Sequence, residues 1–165
     1  MYLFSSDVRA VMDCFRHVVR TLRVSARGAE KRLGVSGAQL FVLQKLAESG
    51  SLSVGELAER TATDQSSVSV VVSRLTARKF VACRPGKSDS RRVEVRLTMG
   101  GRRLLRRAPR ATQIELIDAL GRLPRATRRA LARSLQALVR EIGSEAPPPM
   151  FFEDETPGKL DHARP

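Results

Sequence analysis

Along the first part of the chain, apolar residues return at helical spacing. Val8, Val11, Met12, Phe15, Val18, Val19 and Leu22 follow the i, i+3, i+4, i+7 rule, which predicts one apolar stripe on a helix over 7–33. Gly34 is placed to end it in a left-handed conformation. A second helix starts at once. Ser36 and Gln39 have capping-box spacing, Val35 and Leu40 staple spacing, and Leu40, Leu43, Leu46 and Ala47 continue an apolar face up to Gly50. The start signal then repeats. Ser53 and Glu56 form a second box, with Leu52 and Leu57 as its staple, opening a short third helix over 54–61 that buries Leu57 and Ala58. A tight turn at Ala62-Thr63 precedes a fourth helix over 64–78, capped by Thr63 or Asp64, with Val68, Val71, Val72 and Leu75 facing the core.

The period then changes from helical to two. Residues 80–84 and 91–97 alternate, with Val81 and Cys83 matching Val93, Val95 and Leu97 on one face and Arg92, Glu94 and Arg96 on the other. The link between them, Pro85-Gly86-Lys87-Ser88-Asp89-Ser90, is turn chemistry, so the two runs read as a β-hairpin. Thr98 caps a further helix from about Gly101 to Leu120. Pro109 lies inside it and is expected to kink or divide it, because proline removes an N–H and clashes with the preceding turn. A last helix begins near Pro124, with Leu131, Ser134, Leu135, Leu138 and Ile142 as its stripe. Residues 144–165 hold proline and acid without a period and read as a disordered tail.

Two short helices followed by a basic hairpin make a helix-turn-helix with a β-wing, an arrangement that reads duplex DNA. The major groove admits a helix and exposes a distinctive pattern of donors and acceptors. The face of the fourth helix left over by the core carries Gln65, Ser66, Ser69, Val70, Ser73 and Arg74, with Ser67 at its margin. These are mostly short polar groups that let the helix axis come close. Gln65 suits paired contacts with adenine, the serines suit bases or phosphates, and Val70 suits a thymine methyl. In the hairpin, Arg84, Lys87, Arg91 and Arg92 surround a tip suited to the minor groove. Asp89 fits better as an arginine's partner than as a phosphate contact.

Charge supports a polyanionic partner. Thirty Lys and Arg against seventeen Asp and Glu give a net charge of +13. The tail holds five acids and two bases, so residues 1–143 carry +16. Arginine outnumbers lysine 25 to 5, a bias that codon usage explains; the excess of bases over acids is not explained that way. No apolar run reaches the ~20 residues of a membrane span, and the N-terminus lacks the layout of a secretory signal. Cys14 and Cys83 make neither a disulfide framework nor a zinc pattern, and His17 and His162 have no partners at ligand spacing. A reducing cytoplasm, no membrane, no metal, no cofactor and no catalytic constellation are the expectations.

The wing run DSRRVEVRLTMGG, Asp89 to Gly101, together with LAERTATDQSSVSVVVSRL and the helix order over residues 7–143, resembles the MarR family of winged-helix transcriptional regulators. The resemblance implies a mainly α fold with a small β-hairpin wing, a winged helix-turn-helix flanked by N- and C-terminal dimerisation helices. The corresponding divisions are 1–50 for the N-terminal dimerisation and support helices, 51–101 for the DNA-binding region, 102–143 for the C-terminal dimerisation helices and 144–165 for the tail. It implies a homodimer on double-stranded DNA, with Val8, Val11, Phe15, Leu131, Leu135 and Leu138 at the dimer contact. Residues 65–74 would supply the recognition face, with Arg91 in the minor groove braced by Asp89. The function implied is that of a repressor of a pseudo-palindromic operator, released by a small-molecule effector bound between the dimer helices and the winged helices. The alternative is a basic architectural or interaction module that binds DNA non-specifically and has no ligand switch.

Three positions depart from the family pattern. Ala62 and Lys79 stand where glycine is usual, and a non-glycine residue at positive φ costs roughly 1 kcal/mol or more, so the turns either avoid that geometry or accept the cost. Pro109 is the third. Peroxide-sensing members carry a reactive cysteine near the start of the first helix, activated by tyrosines. Cys14 lies in that region, but the only tyrosine is Tyr2, so an ordinary helix cysteine is expected.

Overall fold

The computed structural model describes residues 5–85 and 93–143. The order of elements is α1 (Ser6–Leu33), α2 (Gly37–Ser49), β1 (Ser51–Ser53), α3 (Val54–Thr61), α4 (Gln65–Ala77), β2 (Val81–Pro85), β3 (Val93–Leu97), α5 (Met99–Leu105), α6 (Thr112–Arg122) and α7 (Arg125–Glu141).

The expected start and stop signals operate. Gly34 ends α1 at φ 66°, where a side chain would be strained. Both capping boxes close in both directions. Ser36 accepts from Gln39 N while Gln39 accepts from Ser36 N, and Ser53 and Glu56 repeat the exchange. The staples Val35–Leu40 and Leu52–Leu57 are buried. Pro109 divides the fifth predicted helix into α5 and α6. The break is held in place by Gln44 of α2, whose Nε2 donates to the Pro109 carbonyl at 2.6 Å while its Oε1 accepts from Ala111 N at 2.8 Å.

Two apolar clusters result. One joins α2, α3, α4 and the sheet through Leu43, Leu46, Leu57, Val68, Val71, Leu75, Val81 and Val95. The other joins α1, α2 and α6 through Ala29, Val35, Leu40, Phe41, Ala111 and Ile114. Phe80, Leu104 and Leu105 pack against both. The sheet is antiparallel, in the order β1-β3-β2, with Leu52 and Cys83 each opposite Val95 and Val81 opposite Leu97.

Some expectations are corrected. The hairpin gains a third strand, β1, which contains the staple residue Leu52. Three residues are too few to announce a two-residue period. The spacing puts Ala47 on the apolar face of α2, but it is exposed. The alternation puts Cys83 and Val93 on the apolar face of the wing, but both are exposed. Burial fades along β2 because the hairpin runs out past the helices that cover its base, so facing direction alone no longer decides exposure. Cys83 Sγ lies 3.8 Å from Thr76 Oγ1.

Candidate nucleic-acid interface

The turn between α3 and α4 and the turn after α4 fix how α4 is presented. In each a residue just past the helix sits in the left-handed region: Ala62, the first residue after α3, at φ 53° and Lys79, the second after α4, at φ 59°. Each turn closes with the paired hydrogen bonds of a Schellman motif. Thr63 N donates to Ala58 O at 3.0 Å and Ala62 N to Glu59 O at 3.2 Å; Phe80 N donates to Leu75 O at 3.0 Å and Lys79 N to Thr76 O at 2.9 Å. The chain therefore accepts the backbone cost that glycine would avoid.

At its far end the second turn is locked to the wing. Thr98 Oγ1 donates to Lys79 O at 2.7 Å and accepts from Gly101 N at 3.2 Å, so one hydroxyl caps α5 and holds the turn after α4. Gly101 is required by approach rather than by φ: a methyl there would collide with the Phe80 carbonyl oxygen.

On α4, Gln65, Ser66, Ser69, Val70 and Ser73 are exposed, and Ser67 and Arg74 are half-buried. Val68, Val71, Val72 and Leu75 are buried on the opposite side, as the spacing predicts. The first turn is less free than its sequence suggests. Asp64 caps α4, its Oδ1 accepting from Ser67 N at 2.9 Å and from the Ser66 hydroxyl, its Oδ2 accepting from the Ser67 hydroxyl at 2.8 Å. These bonds, Ser66's first, hold the Asp64 carboxyl well below the usual carboxylate range. The Ser66 and Ser67 protons therefore point at Asp64, leaving those oxygens as acceptors. Gln65 lies back across the start of α3, where a methyl at Gly55 would sit 3.1 Å from its Nε2. Ser69, Val70 and Ser73 form the unencumbered part of the face.

Of the wing residues, Arg84 is exposed on β2, opposite Glu94. Glu94 pairs with Arg96 at 2.8 Å along β3. Lys87, Asp89, Arg91 and Arg92 lie outside the described residues. The wing is cationic, but the surplus of positive charge is concentrated elsewhere. Residues 51–101 carry a net +4, whereas residues 102–143 carry +8, from eleven arginines and three acids. Arg32 of α1 and Arg103, Arg106 and Arg107 at the end of α5 line one open recess.

Among the described residues no helix is long and apolar enough to cross a membrane, and no three His, Cys, Asp or Glu side chains gather as for a metal. Cys14 is exposed.

Comparison with known proteins agrees with this geometry. A family model described as MarR family matches residues 33–92. An uncharacterised HTH-type transcriptional regulator of Mycobacterium leprae is 31% identical over 145 residues, 88% of this chain and 100% of the relative. The HTH-type transcriptional repressor MdtR of Bacillus subtilis is 38% identical over 71 residues, 43% of this chain and 46% of the relative. Among solved structures, Sco3205, a MarR family transcriptional regulator from Streptomyces coelicolor in complex with DNA, superposes with a TM-score of 0.57 at 21% identity, over 92% of this chain and 97% of that one. Bordetella bronchiseptica BpsR, whose solved structure concerns regulation of DNA binding by 6-hydroxynicotinic acid, superposes with a TM-score of 0.53 at 28% identity, over 88% and 99%. With the winged helix built, its reading helix capped and exposed, and a relative matched along its whole length, the chain belongs to the MarR family: it is a DNA-binding transcriptional regulator and not an enzyme.

Proposed function

We propose that this protein is a ligand-responsive repressor that binds a pseudo-palindromic operator as a homodimer. The observation that carries the reading is the pair of uncovered apolar stripes at the two ends of the chain. Val8 (44% exposed) and Val11 (49%) on α1, and Leu131 (38%), Leu135 (39%) and Leu138 (40%) on α7, lie open, with Phe15 half-buried beside them. No residue of α7 is buried. A seventeen-residue helix with an apolar stripe and no covered residue gains little from its own chain, and a second copy covers such stripes with two-fold symmetry. Residues 1–50 and 102–143 then serve association, and residues 51–101 serve DNA.

In this reading Ser69, Val70 and Ser73 meet base edges, joined by Gln65 once it swings away from Gly55. Ser66, Ser67 and Arg74 lie at the rim, and Arg84, Lys87, Arg91 and Arg92 hold the backbone and minor groove, with Asp89 bracing Arg91. The effector site is supported by a recess of about 230 Å³ between α1 and α6, lined by Val18, Thr21, Leu22, Thr112 and Leu116 among others. It lies where a ligand touches both a proposed dimer helix and the segment beyond Pro109, as a ligand must if it is to favour one arrangement of the heads over another. Repression follows the description of MdtR, and a ligand-controlled DNA affinity follows that of BpsR.

The test is a footprint on promoter DNA, followed by the ratio of specific to non-specific affinity at fixed salt. Specific binding at least about 10³-fold tighter, to a site with two-fold symmetry and half-sites about 10 base pairs apart, is the expected result. A ratio near one, or a stable monomer in sedimentation bound one chain per site, sinks the reading in favour of non-specific binding without a switch.

A further inference from the structure

The recognition helix is tied to the first helix by one side chain that neither the groove nor the core accounts for. Arg78 is the C-terminal cap of α4. Its Nη1 donates to the carbonyl oxygen of Gly34 at 2.6 Å and to Oε1 of Gln39 at 3.2 Å. Gly34 is the residue that ends α1. The same Gln39 oxygen accepts from Ser36 N at 3.3 Å, the bond that opens α2. Gln39 is only 5% exposed, so its amide has little freedom to choose other partners. The guanidinium also lies 4.9 Å from the centroid of the Phe80 ring, and Phe80 packs against both apolar clusters. One nitrogen thus joins the end of α1, the start of α2 and the end of α4, at the seam between the two clusters.

These contacts span 44 and 39 residues of sequence, so they are not a local cap. Hydrogen bonds from a charged donor are roughly twice as strong as neutral ones, and a planar guanidinium lying over a ring has few alternative poses. Immediately after Arg78 the chain takes the strained turn at Lys79. The end of α4 is therefore held at one angle to the end of α1. In a two-fold dimer built on α1, that angle sets where the two recognition helices fall along the duplex.

We propose that Arg78 is a positioning residue that fixes the half-site spacing the dimer accepts, acting through Gly34 and Gln39 without touching DNA. The inference rests on the dimeric reading above. The probe is a set of duplexes carrying the operator selected by the wild-type protein from random sequence, the same operator with one or two base pairs added to or removed from its centre, and a single half-site. A one-base-pair change rotates one half-site by about 34° relative to the other. For Arg78→Ala, affinity for the intact operator should fall about tenfold or more. Affinity for the single half-site, and the salt slope, should stay at wild-type values, and discrimination between the native and shifted spacings should largely vanish. Arg78→Lys keeps the charge but loses the planar group that lies over Phe80 and orients Nη1, and it should follow the alanine variant in its loss of spacing discrimination. If the alanine variant does not fold, as read by its thermal unfolding, the lysine variant alone carries the test.

If half-site and operator affinities fall together, the salt slope drops by roughly one unit and lysine restores both, Arg78 is a phosphate contact and the proposal is wrong. A wild-type spacing preference preserved in both variants overturns this proposal and leaves the dimer standing. A wild-type protein with no spacing preference at all overturns both.

Discussion

Replacing Ala62 by glycine should make the protein more stable, although glycine usually weakens a fold. Ala62 sits at φ 53°, ψ 43°, and its methyl is exposed, so no apolar burial is lost with it. The left-handed region costs an L-residue about 1–2 kcal/mol, and glycine removes that cost. Against this, the unfolded chain gains freedom worth about 0.4–1 kcal/mol. The net is a gain of about 0.5–1 kcal/mol, or a rise in Tm of about 1–4 °C for a chain of this size. Ala62→Val sharpens the comparison, because a β-branched residue fits positive φ still less well and should lower stability. Chemical unfolding at a fixed protein concentration is the suitable assay, since association makes Tm depend on concentration. A glycine variant that is less stable than wild type, together with a neutral valine variant, would mean that the turn between α3 and α4 does not adopt this backbone in solution. The Schellman geometry derived for it would then fall too.

Further outcomes follow from other contacts. Gly101→Ala places a methyl on the Phe80 carbonyl oxygen and should destabilise the fold by more than about 2 kcal/mol, read as a lower urea midpoint. Asp64 titrates lower in the folded chain than its ordinary 3.8, so its contribution is whole above that pH and drains away as the pH falls below it. The stability gap between wild type and Asp64→Ala should therefore be constant from pH 5 to 7 and narrow below about pH 4, as urea unfolding at each pH would measure. Leu135→Glu puts a charge into the exposed stripe of α7; sedimentation should show monomers, with the helical circular dichroism of the winged helix retained.

Local features of this fold were legible in the sequence because they depend on residues three or four apart. The two capping boxes and the bounds of α3 came from such spacing, the division at Pro109 from the chemistry of proline itself, and the buried face of α4 from its period. What escaped depends on distant neighbours. Leu52 reads as a staple because its strand partner, Val95, lies 43 positions on. Cys83 has the right alternation for a core residue, but only the reach of the helices over the sheet decides that it is exposed. Gln44 and Arg78 look like ordinary polar helix residues, and nothing adjacent to them announces Pro109, Ala111 or Gly34 as partners. On the recognition face the residue types were readable, while the diversion of Ser66 and Ser67 toward Asp64 was not. Which hydroxyls are left to donate is settled only by geometry.

The Asp64 cap has a consequence for sequence discrimination. Helix N-termini commonly attract phosphates, through free amide hydrogens and the positive end of the helix dipole. In α4 that place is already filled by the chain's own carboxylate, which takes the Ser67 amide and two hydroxyl protons. With α4 in the groove, a DNA strand that slides its backbone toward the tip of the helix meets a fixed negative charge where other helices offer an anchor. A cytosine amino group brought to the same place meets an acceptor. The tip of the helix thus repels what every duplex has in common and tolerates a feature that only some base pairs present. In a strongly cationic protein whose α4 reads DNA as proposed, this keeps indiscriminate phosphate binding from occupying that helix.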